Sequence, residues 1–575
     1  MIGSELKNLI KTACINIGIE VGEIGLEHPT DLKLGDFSTN VAMVYGKSAG
    51  HAPKVLAEKI VFAIRSDIKN SKRSDLEEVI AEIQIANPGF INFHLTQKFF
   101  SNSVLEINKL GENFGRNRSL QGKKVMVEYT QPNPFKPFHI GHLMSNAIGE
   151  SVSRLIEFSG AEILRANYQG DIGPHVAKAI YGILEKGGKY PAGTATEVAS
   201  WIGDCYVFGA DKHETDEKIK EEITKLNKTI YEGKDEKLNE LYQKGREITL
   251  EAFEVIYKKL GTRFDYYFFE SEMAPLGLDI VKEYLGRGVF ERSEGAIIFP
   301  GEKHGLHNRV FVNSQGIPTY EAKELGLTKT KFELTNIDLS IVDTATEQKD
   351  YFRVVFRAIF DINKDWFNKT KHITHGMMRL SSGKMSSRKG NVVTGETLIK
   401  DTEELVFEKV KERDFEKDEA KRVVEEVAIG AIKYSILKNA PGGDIVYDFE
   451  KSISFEGDSG PYLQYSYVRA NSILKKAIEA GIEVGDAVNI NEINLLEKLL
   501  YRFPEIILHA EKNYSPNIVA TYLIELAGAF NNFYANNRIL EAGTETPYRL
   551  ATVKAFTVTM KNGLWVLGIK TPDRM

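Results

Sequence analysis

Two of the chain's 12 histidines fall within four residues, at the end of the run Val127-Glu-Tyr-Thr-Gln-Pro-Asn-Pro-Phe-Lys-Pro-Phe-His-Ile-Gly-His142. They follow a loop stiffened by three prolines and open a stretch of helical spacing. At a helix start the unpaired backbone N–H groups and the helix dipole attract anions, and imidazoles placed there can hydrogen-bond phosphate oxygens. Gly141 between them has no side chain, which would let the backbone or a base approach closely. Metal binding is the weaker chemistry, because His139 and His142 are one residue short of the His-x-x-x-His zincin spacing and no third ligand lies nearby. On this run alone a pair of core histidines remains an equal alternative.

A second run, His375-Gly-Met-Met-Arg-Leu-Ser-Ser-Gly-Lys-Met-Ser-Ser-Arg-Lys-Gly390, sets Lys384, Arg388 and Lys389 among four serines and beside Gly383 and Gly390. Such a loop can close cations and hydroxyls around a triphosphate. Taken alone it is more simply read as a solvated basic loop. The rival phosphate device, a Walker A loop, fails at Gly46-Lys47-Ser48, where Val41 occupies the position of the first required glycine.

These runs need a scaffold. Lys124 to Tyr129 has the pattern of a strand, Gly141 to Ser159 that of a helix stopped by Gly160, and Glu162 to Tyr168 that of a second strand. A βαβ unit of this kind predicts a parallel, doubly wound sheet. The strand-like runs Ala296 to Phe299, Val310 to Asn313 and Leu339 to Asp343 are expected to complete it. Between the two parts, Asp211 to Ile248 is dense in charge, with Ile219, Ile223, Leu226 and Ile230 on one edge, which predicts a solvated helical hairpin inserted in the sheet domain at about 176–300. Upstream, Leu6, Leu9, Ile10, Ala13 and Ile17 recur at helical spacing. Ala81, Ile83 and Ile85 then alternate toward a turn at Asn87-Pro88-Gly89, and Ile91, Phe93 and Leu95 alternate away from it. From about Glu404 the pattern is helical almost throughout. The fold class expected is therefore α/β: a Rossmann-like doubly wound domain at 106–403, an α+β domain at 1–105 and an all-α helical bundle at 404–575.

Composition narrows the class further. At 575 residues, with 42% hydrophobic and 27% charged, the chain is an ordinary globular protein of several domains and not a collagen-like, mucin-like or disordered one. Two cysteines exclude a disulfide framework and a cysteine-based zinc module. Glu5, Lys7 and Lys11 stand where a signal peptide would be apolar, and no stretch approaches the roughly 18 apolar residues of a membrane span, so a cytoplasmic protein without a membrane partner is expected. A net charge of −6 advertises no polyanionic partner, so RNA binding must be argued from local features.

Together, His139-Ile-Gly-His142 (HIGH) and the later Lys384-Met-Ser-Ser-Arg388 resemble the two signatures of class I aminoacyl-tRNA synthetases. Glu128-Tyr-Thr-Gln-Pro-Asn133 with Lys136-Pro-Phe, Asn167-Tyr-Gln-Gly-Asp-Ile-Gly173, Pro318-Thr-Tyr320 and Gln348-x-x-Tyr-Phe352 resemble arginyl-tRNA synthetases in particular. Gly35-Asp-Phe-Ser-Thr-Asn40 and Gly89-Phe-Ile-Asn-Phe93 resemble that family's N-terminal domain. Gly460-Pro-Tyr-Leu-Gln-Tyr465, Phe530-Asn-x-Phe-Tyr534 and Pro572-Asp-Arg-Met575 resemble its helical C-terminal domain.

The resemblance implies an arginine–tRNA ligase, working as a monomer on arginine, Mg-ATP and tRNA(Arg), with Mg²⁺ carried mainly by the ATP. It implies catalysis by Lys136, His139, His142 and Lys384. The ATP site would comprise His139, Gly141, His142, Gly376, Met377, Lys384, Met385, Ser386, Ser387 and Lys389. Glu324 with Tyr320 would take the guanidinium, and Asn133 and Gln348 the α-amino and carboxylate end, with Glu128 as a second acid nearby. Phe90 would meet the tRNA elbow, and Tyr465, Arg469, Tyr534, Arg538 and Met575 would contact tRNA from the C-terminal part. The sequence departs from the family pattern twice. Ser387 stands where the second signature usually has lysine, leaving that charge to Lys136, which the proline-flanked position favours, or to Lys389. Glu324 stands where the family usually has aspartate, and a surface Tyr320–Glu324 pair on one helix face is the plain alternative.

Overall fold

The structure is a computed structural model that describes residues 1–70, 74–381, 394–485 and 493–575. The chain divides into two compact units. One gathers Met1–Gly115, Ser466–Ile507 and Leu523–Asn562; the other gathers Arg116–Tyr465, Leu508–Tyr522 and Gly563–Met575.

In the first unit, α1 (Ile2–Asn16), β1 (Phe37–Thr39), α2 (Val41–Gly46), α3 (Pro53–Asn70), α4 (Ser74–Val79), β2 (Ile80–Ala86), β3 (Phe90–Leu95) and α5 (Gln97–Leu110) follow in order. The strands form an antiparallel sheet in the order β1-β3-β2, with Ile83 opposite Phe93 and Ile85 opposite Ile91. The helical periodicity of the N-terminus buries Leu6, Leu9, Ile10 and Ala13 against Leu56, Ile60 and Ile64 of α3. Tyr501, from far down the chain, belongs to the same core.

The second unit is built on a five-stranded parallel sheet in the order β11-β10-β4-β5-β6. Here β4 (Lys124–Glu128), α6 (Ile140–Phe158) and β5 (Glu162–Gln169) are the expected βαβ unit. The insertion is α7 (Pro174–Glu185), α8 (Ala195–Thr215), α9 (Glu217–Glu232) and α10 (Glu236–Leu260), in which α9 buries Ile223 and Ile230 and turns its charged residues outward. β6 (Tyr266–Phe269) then closes one edge of the sheet and leads into α11 (Glu270–Gly286).

The sheet is not completed where the sequence pattern placed it. β7 (Glu291–Ser293), β8 (Ala296–Phe299) and β9 (Arg309–Val312) form a separate antiparallel sheet. The connection from β8 to β9 is too short for the crossover helix that parallel pairing needs, so antiparallel pairing is what the chain can reach. After α12 (Tyr320–Thr335) comes β10 (Leu339–Ala345), which does join the main sheet. It is followed by α13 (Lys349–Ile362), α14 (Lys364–Asn368) and the second edge strand, β11 (Thr370–His375).

Beyond β12 (Met378–Leu380) the described chain is helical apart from β13 (Ile445–Tyr447). It runs through α15 (Gly395–Val410), α16 (Lys417–Leu437), α17 (Phe449–Ser452), α18 (Gly460–Glu479), α19 (Leu495–Leu500), α20 (Phe503–Asn513), α21 (Pro516–Asn536) and α22 (Thr546–Val566).

Candidate active site

The loop between β4 and α6 carries three non-glycine residues in the left-handed region: Thr130 (φ 77°), Gln131 (φ 53°) and Phe135 (φ 66°). Such residues cost of order 1–3 kcal/mol each and persist where surrounding contacts over-determine them. The contacts are present. Thr130 N–H donates to Ser145 Oγ (2.9 Å), Thr130 Oγ1 accepts from Asn146 Nδ2 (3.0 Å), and Phe135 is fully buried and stacked on Tyr242. Ser145 in turn donates to the buried carboxylate of Asp343 on β10 (2.8 Å).

At the start of α6 the two histidines cap the helix reciprocally. His139 Nδ1 accepts from Gly141 N–H (3.1 Å), His142 Nδ1 accepts from His139 N–H (3.2 Å), and the rings stack with centroids 3.5 Å apart. With Nδ1 an acceptor in both rings, the ring proton sits on Nε2, so each imidazole keeps one N–H donor for a ligand. Burial, and then the charge of Lys136, hold His139 below the ordinary histidine range. His142 lies well below it, through burial, His139 and Lys136. The pair therefore offers neutral donors. Gly141 lines the cleft and has a further use: a Cβ there would stand 3.0 Å from the His139 ring, so glycine lets that ring fold back over the helix end.

Above these residues opens a cleft of about 1010 Å³ at the C-terminal ends of the parallel strands, reached by Glu128 at the end of β4, Gly170 after β5, Glu270 after β6, Ala345 of β10 and His375 of β11. This is the end at which open α/β sheets bind ligands. Of the residues expected from sequence, the lining brings together Glu128, Asn133, His139, Gly141, His142, Tyr320, Glu324, Gln348, Gly376 and Met377. Lys136 does not line it. Lys136 borders a neighbouring groove with Pro137, Phe138, Thr394 and Lys400, its Nζ 5.3 Å from the Tyr206 ring centroid, yet it is close enough to depress His139. Lys384, Met385, Ser386, Ser387 and Lys389 lie outside the described residues.

Four buried carboxyls share the cleft, and Glu321 among them accepts from Arg309 (2.9 Å). Glu128 forms an ion pair with Lys331 and accepts from Gln131 Nε2 (2.7 Å). Glu270, the first residue of α11, accepts from Lys323 Nζ at 2.6 Å. Glu324 has no ion-pair partner among the described residues. Burial, with Glu128 and Glu270 nearby and only Lys331 opposing them, pushes it up to about 8. The plain surface pair is thereby excluded: Tyr320 is 57% exposed, but Glu324, one turn on, is buried. Around them, Asn133 Oδ1 accepts from Gly170 N–H (3.1 Å), which leaves its amide donors free for a ligand, and Tyr351 donates to the Tyr320 carbonyl (3.1 Å). Gly376 packs so tightly on Gly443 that a Cβ would fall 2.1 Å from its carbonyl oxygen.

Sequence reasoning missed Glu270, Lys323 and Lys331, and did not single out Tyr168, Tyr351 or His375 from the runs that contain them. Glu270 carries no local signal beyond following an aromatic strand. The two lysines look like the solvent face of α12, whereas the helix is buried continuously from Glu321 to Thr328.

The residues expected to contact tRNA are dispersed. Phe90 (36% exposed), Tyr534 (44% exposed), Arg469 and Arg538 belong to the first unit. Arg469 donates to Asn531 Oδ1 (2.9 Å) and stands 5.4 Å from the Tyr534 ring. Tyr465, half-buried and edge-on to Phe455, belongs to the second unit, as does Met575, whose side chain is buried and whose carbonyl accepts from Arg413.

Residues 105–449 match the family described as tRNA synthetases class I (R), catalytic domain, and the whole chain is 31% identical to an arginine–tRNA ligase of Fusobacterium nucleatum, covering 97% of this chain and 96% of that one. The chain belongs to the arginyl-tRNA synthetases. Residues 4–95 match that family's N-terminal domain and residues 463–575 the DALR anticodon binding domain. An arginine–tRNA ligase of Borreliella burgdorferi is 30% identical over 96% of this chain and 95% of its own. Arginyl-tRNA synthetases of known structure share the fold: that of Thermus thermophilus with a TM-score of 0.80 at 23% identity, each chain wholly covered, and that of Plasmodium falciparum with 0.77 at 21%, covering 100% of this chain and 99% of the other. The synthetase fold, with its parallel-sheet catalytic domain between an N-terminal domain and a helical C-terminal domain, is thus the one expected from sequence.

Proposed function

We propose that this cleft activates arginine with ATP and passes the arginyl group to the terminal adenosine of tRNA(Arg). One observation carries the reading: a buried carboxyl with no ion-pair partner among the described residues, Glu324, shares a cleft with two neutral imidazole donors at a helix N-terminus. A guanidinium supplies the planar paired donors such a carboxyl lacks. Glu324 and Tyr320 take that group. Asn133, Gln348 and Glu128 hold the α-amino and carboxylate end.

The arginine carboxylate oxygen attacks the α-phosphorus of ATP and pyrophosphate leaves; a ribose hydroxyl of the tRNA then attacks the arginyl carbonyl and AMP leaves. No protein nucleophile takes part, so the chain contributes position and charge complementarity. The Nε2–H groups of His139 and His142 donate to phosphate oxygens as charge develops there, and the backbone at Gly376 and Met377 borders the nucleotide. Lys384 with Met385, Ser386 and Ser387 closes on the phosphates, and the charge absent at Ser387 comes from Lys136, with Lys389 as the alternative. Mg²⁺ is held mainly by the ATP phosphates and water, in keeping with the lack, among the described residues, of three or more His, Cys, Asp or Glu side chains grouped to hold a metal ion.

Residues 1–105 meet the tRNA elbow through Phe90. Tyr465, Arg469, Tyr534, Arg538 and the chain end at Met575 contact tRNA from the 404–575 part, flanking a catalytic domain at 106–403. The enzyme works as a cytoplasmic monomer; among the described residues no helix is long and apolar enough to cross a membrane. Aminoacylation of total tRNA with each amino acid in turn tests the reading. Arginine alone is expected to be charged efficiently, and equal charging of lysine would overturn it.

A further inference from the structure

One helix, α12, supplies the cations for two of the cleft acids. Lys331 pairs with Glu128, and Lys323 pairs with Glu270. The second pair lies beside Tyr320 and Glu324, where the proposed function puts the substrate cation. Both side chains are under a tenth exposed, Lys323 Nζ is 3.3 Å from Tyr231 Oη and 5.1 Å from the centroid of Tyr320, and Glu270 is near enough to Glu324 to raise it. Lys323 engages Oε2 of Glu270. The other oxygen, Oε1, accepts no hydrogen bond among the described residues and lies on the Gly170 side, 3.1 Å from where a Cβ on that glycine would stand.

We propose that Lys323 is a specificity-determining residue: by occupying one oxygen of Glu270 it leaves a divided acceptor, Glu324 plus Glu270 Oε1, that a planar guanidinium can span and a point-like ammonium cannot. This deepens the reading of the cleft as an arginine pocket and rests on it. A guanidinium carries five N–H donors spread over a rigid plane, so it can donate to two carboxylates from two edges; an ammonium gathers three donors at one atom and needs its acceptors close together. Without Lys323, Glu270 has no fixed cation: both its oxygens are open to the pocket, and any cation of suitable length can displace the proton that burial favours and be held by charge. With Lys323 in place, charge is largely cancelled and shape decides.

The test compares the full-length enzyme with Lys323→Met and Lys323→Arg, charging tRNA with arginine and with lysine, and measures arginine binding by calorimetry in two buffers of different ionisation heat. Lys323→Met is expected to lower the arginine-over-lysine preference by about tenfold or more, the scale on which one buried polar mismatch discriminates substrates. Lys323→Arg, which still holds Oε2, keeps the preference.

Proton release on arginine binding is expected to rise in Lys323→Met. Glu270 is faced by Asp171, Lys136 and Lys323, with burial favouring its protonated form; losing Lys323 leaves it holding a proton that the guanidinium displaces. Where the methionine variant does not fold, Lys323→Gln keeps a donor to Oε2 and removes the charge, and the same rise in proton release is expected. A folded Lys323→Met enzyme with the parent's preference and proton release overturns the proposal. So does equal loss of preference in Lys323→Arg with unchanged proton release, which marks a packing role. A parent enzyme that charges no arginine overturns the reading of the cleft, and the proposal with it.

Discussion

Lys498 reaches across 462 residues of chain to place its Nζ 2.9 Å from Oδ1 of Asp36, whose other oxygen accepts from Leu95 N–H at 2.8 Å. Asp36 is buried, and Tyr501, one helical turn beyond Lys498, packs on Phe37, Phe99 and Phe100. The N-terminal α+β segment is therefore not a detachable module: deleting residues 1–105 would strip a core as well as the proposed RNA surface. Lys498→Met is expected to cost about 3 kcal/mol in denaturant unfolding, the scale for breaking a buried ion pair, because it leaves Asp36 charged and buried. A loss under about 0.5 kcal/mol would assign the pair no more than the worth of a surface contact.

The elbow contact is better probed by a point change than by truncation. Phe90→Ala removes an exposed ring and no core. The expected outcome is a several-fold higher KM for tRNA, with the KM values for arginine and ATP unmoved and a difference that persists across a salt series, because stacking is not a counterion-release effect. Parent-like tRNA kinetics would remove Phe90 from the interface.

Glu324 predicts a pH dependence with a definite sign. Its carboxyl holds a proton up to about pH 8 in the free enzyme, and a guanidinium needs the carboxylate. Arginine binding then releases a proton, so the KM for arginine should fall as pH rises, approaching tenfold per unit, and level off above about 8. The same raised pKa lowers folding stability as pH climbs from the ordinary carboxylate range to about 8, since the unfolded chain has already released the proton the folded chain keeps. Glu324→Gln should abolish both slopes and weaken arginine far more than ATP. A KM flat between pH 6 and 8 would contradict the assignment.

The histidine pair predicts an absence. Both rings are held below the ordinary histidine range, so the adenylation rate should show no inflection between pH 6 and 7. His142→Ala removes a donor and a cap and should lower that rate by roughly 10²–10³, the loss typical of one preorganised donor. An inflection near 6.5 that vanishes in the variant would mean the imidazolium is the working form.

Lys136 lines a groove beside the cleft, so its contribution is by charge at short range or by reaching in when ATP binds. Lys136→Ala should slow adenylation by about one to three powers of ten. Ser387→Lys in the same chain should restore part of it. Unchanged kinetics in Lys136→Ala would move the role to Lys389.

The βαβ unit was legible because strand alternation, helix spacing and a stopping glycine agreed over Lys124 to Tyr168. The sheet's edges were not, because β6 is short, β11 (Thr-Lys-His-Ile-Thr-His) carries a single aliphatic residue, and β8 and β9 alternate just as well in an antiparallel pair. In the cleft, residues in signature runs could be read. Glu270 could not, since its place depends on β6 ending level with β5. Nor could the lysines of α12, since a buried lysine is told from a solvated one only by the acid that meets it. The fold-back of His139 over Gly141 is a matter of tautomer and ring orientation, which spacing does not encode.

The two ion pairs of α12 have a consequence for length. Lys323 and Lys331 are eight residues apart on one continuous helix, roughly 12 Å along its axis at the usual rise. Each is locked to an acid from a different part of the sheet, Glu270 after β6 and Glu128 at the tip of β4. On the arginine-pocket reading proposed above, such a rod would work as a gauge between the acid nearer the side-chain cation and the acid nearer the α-amino group. A shorter diamino acid would then carry the right charges and still fail to touch both ends at once.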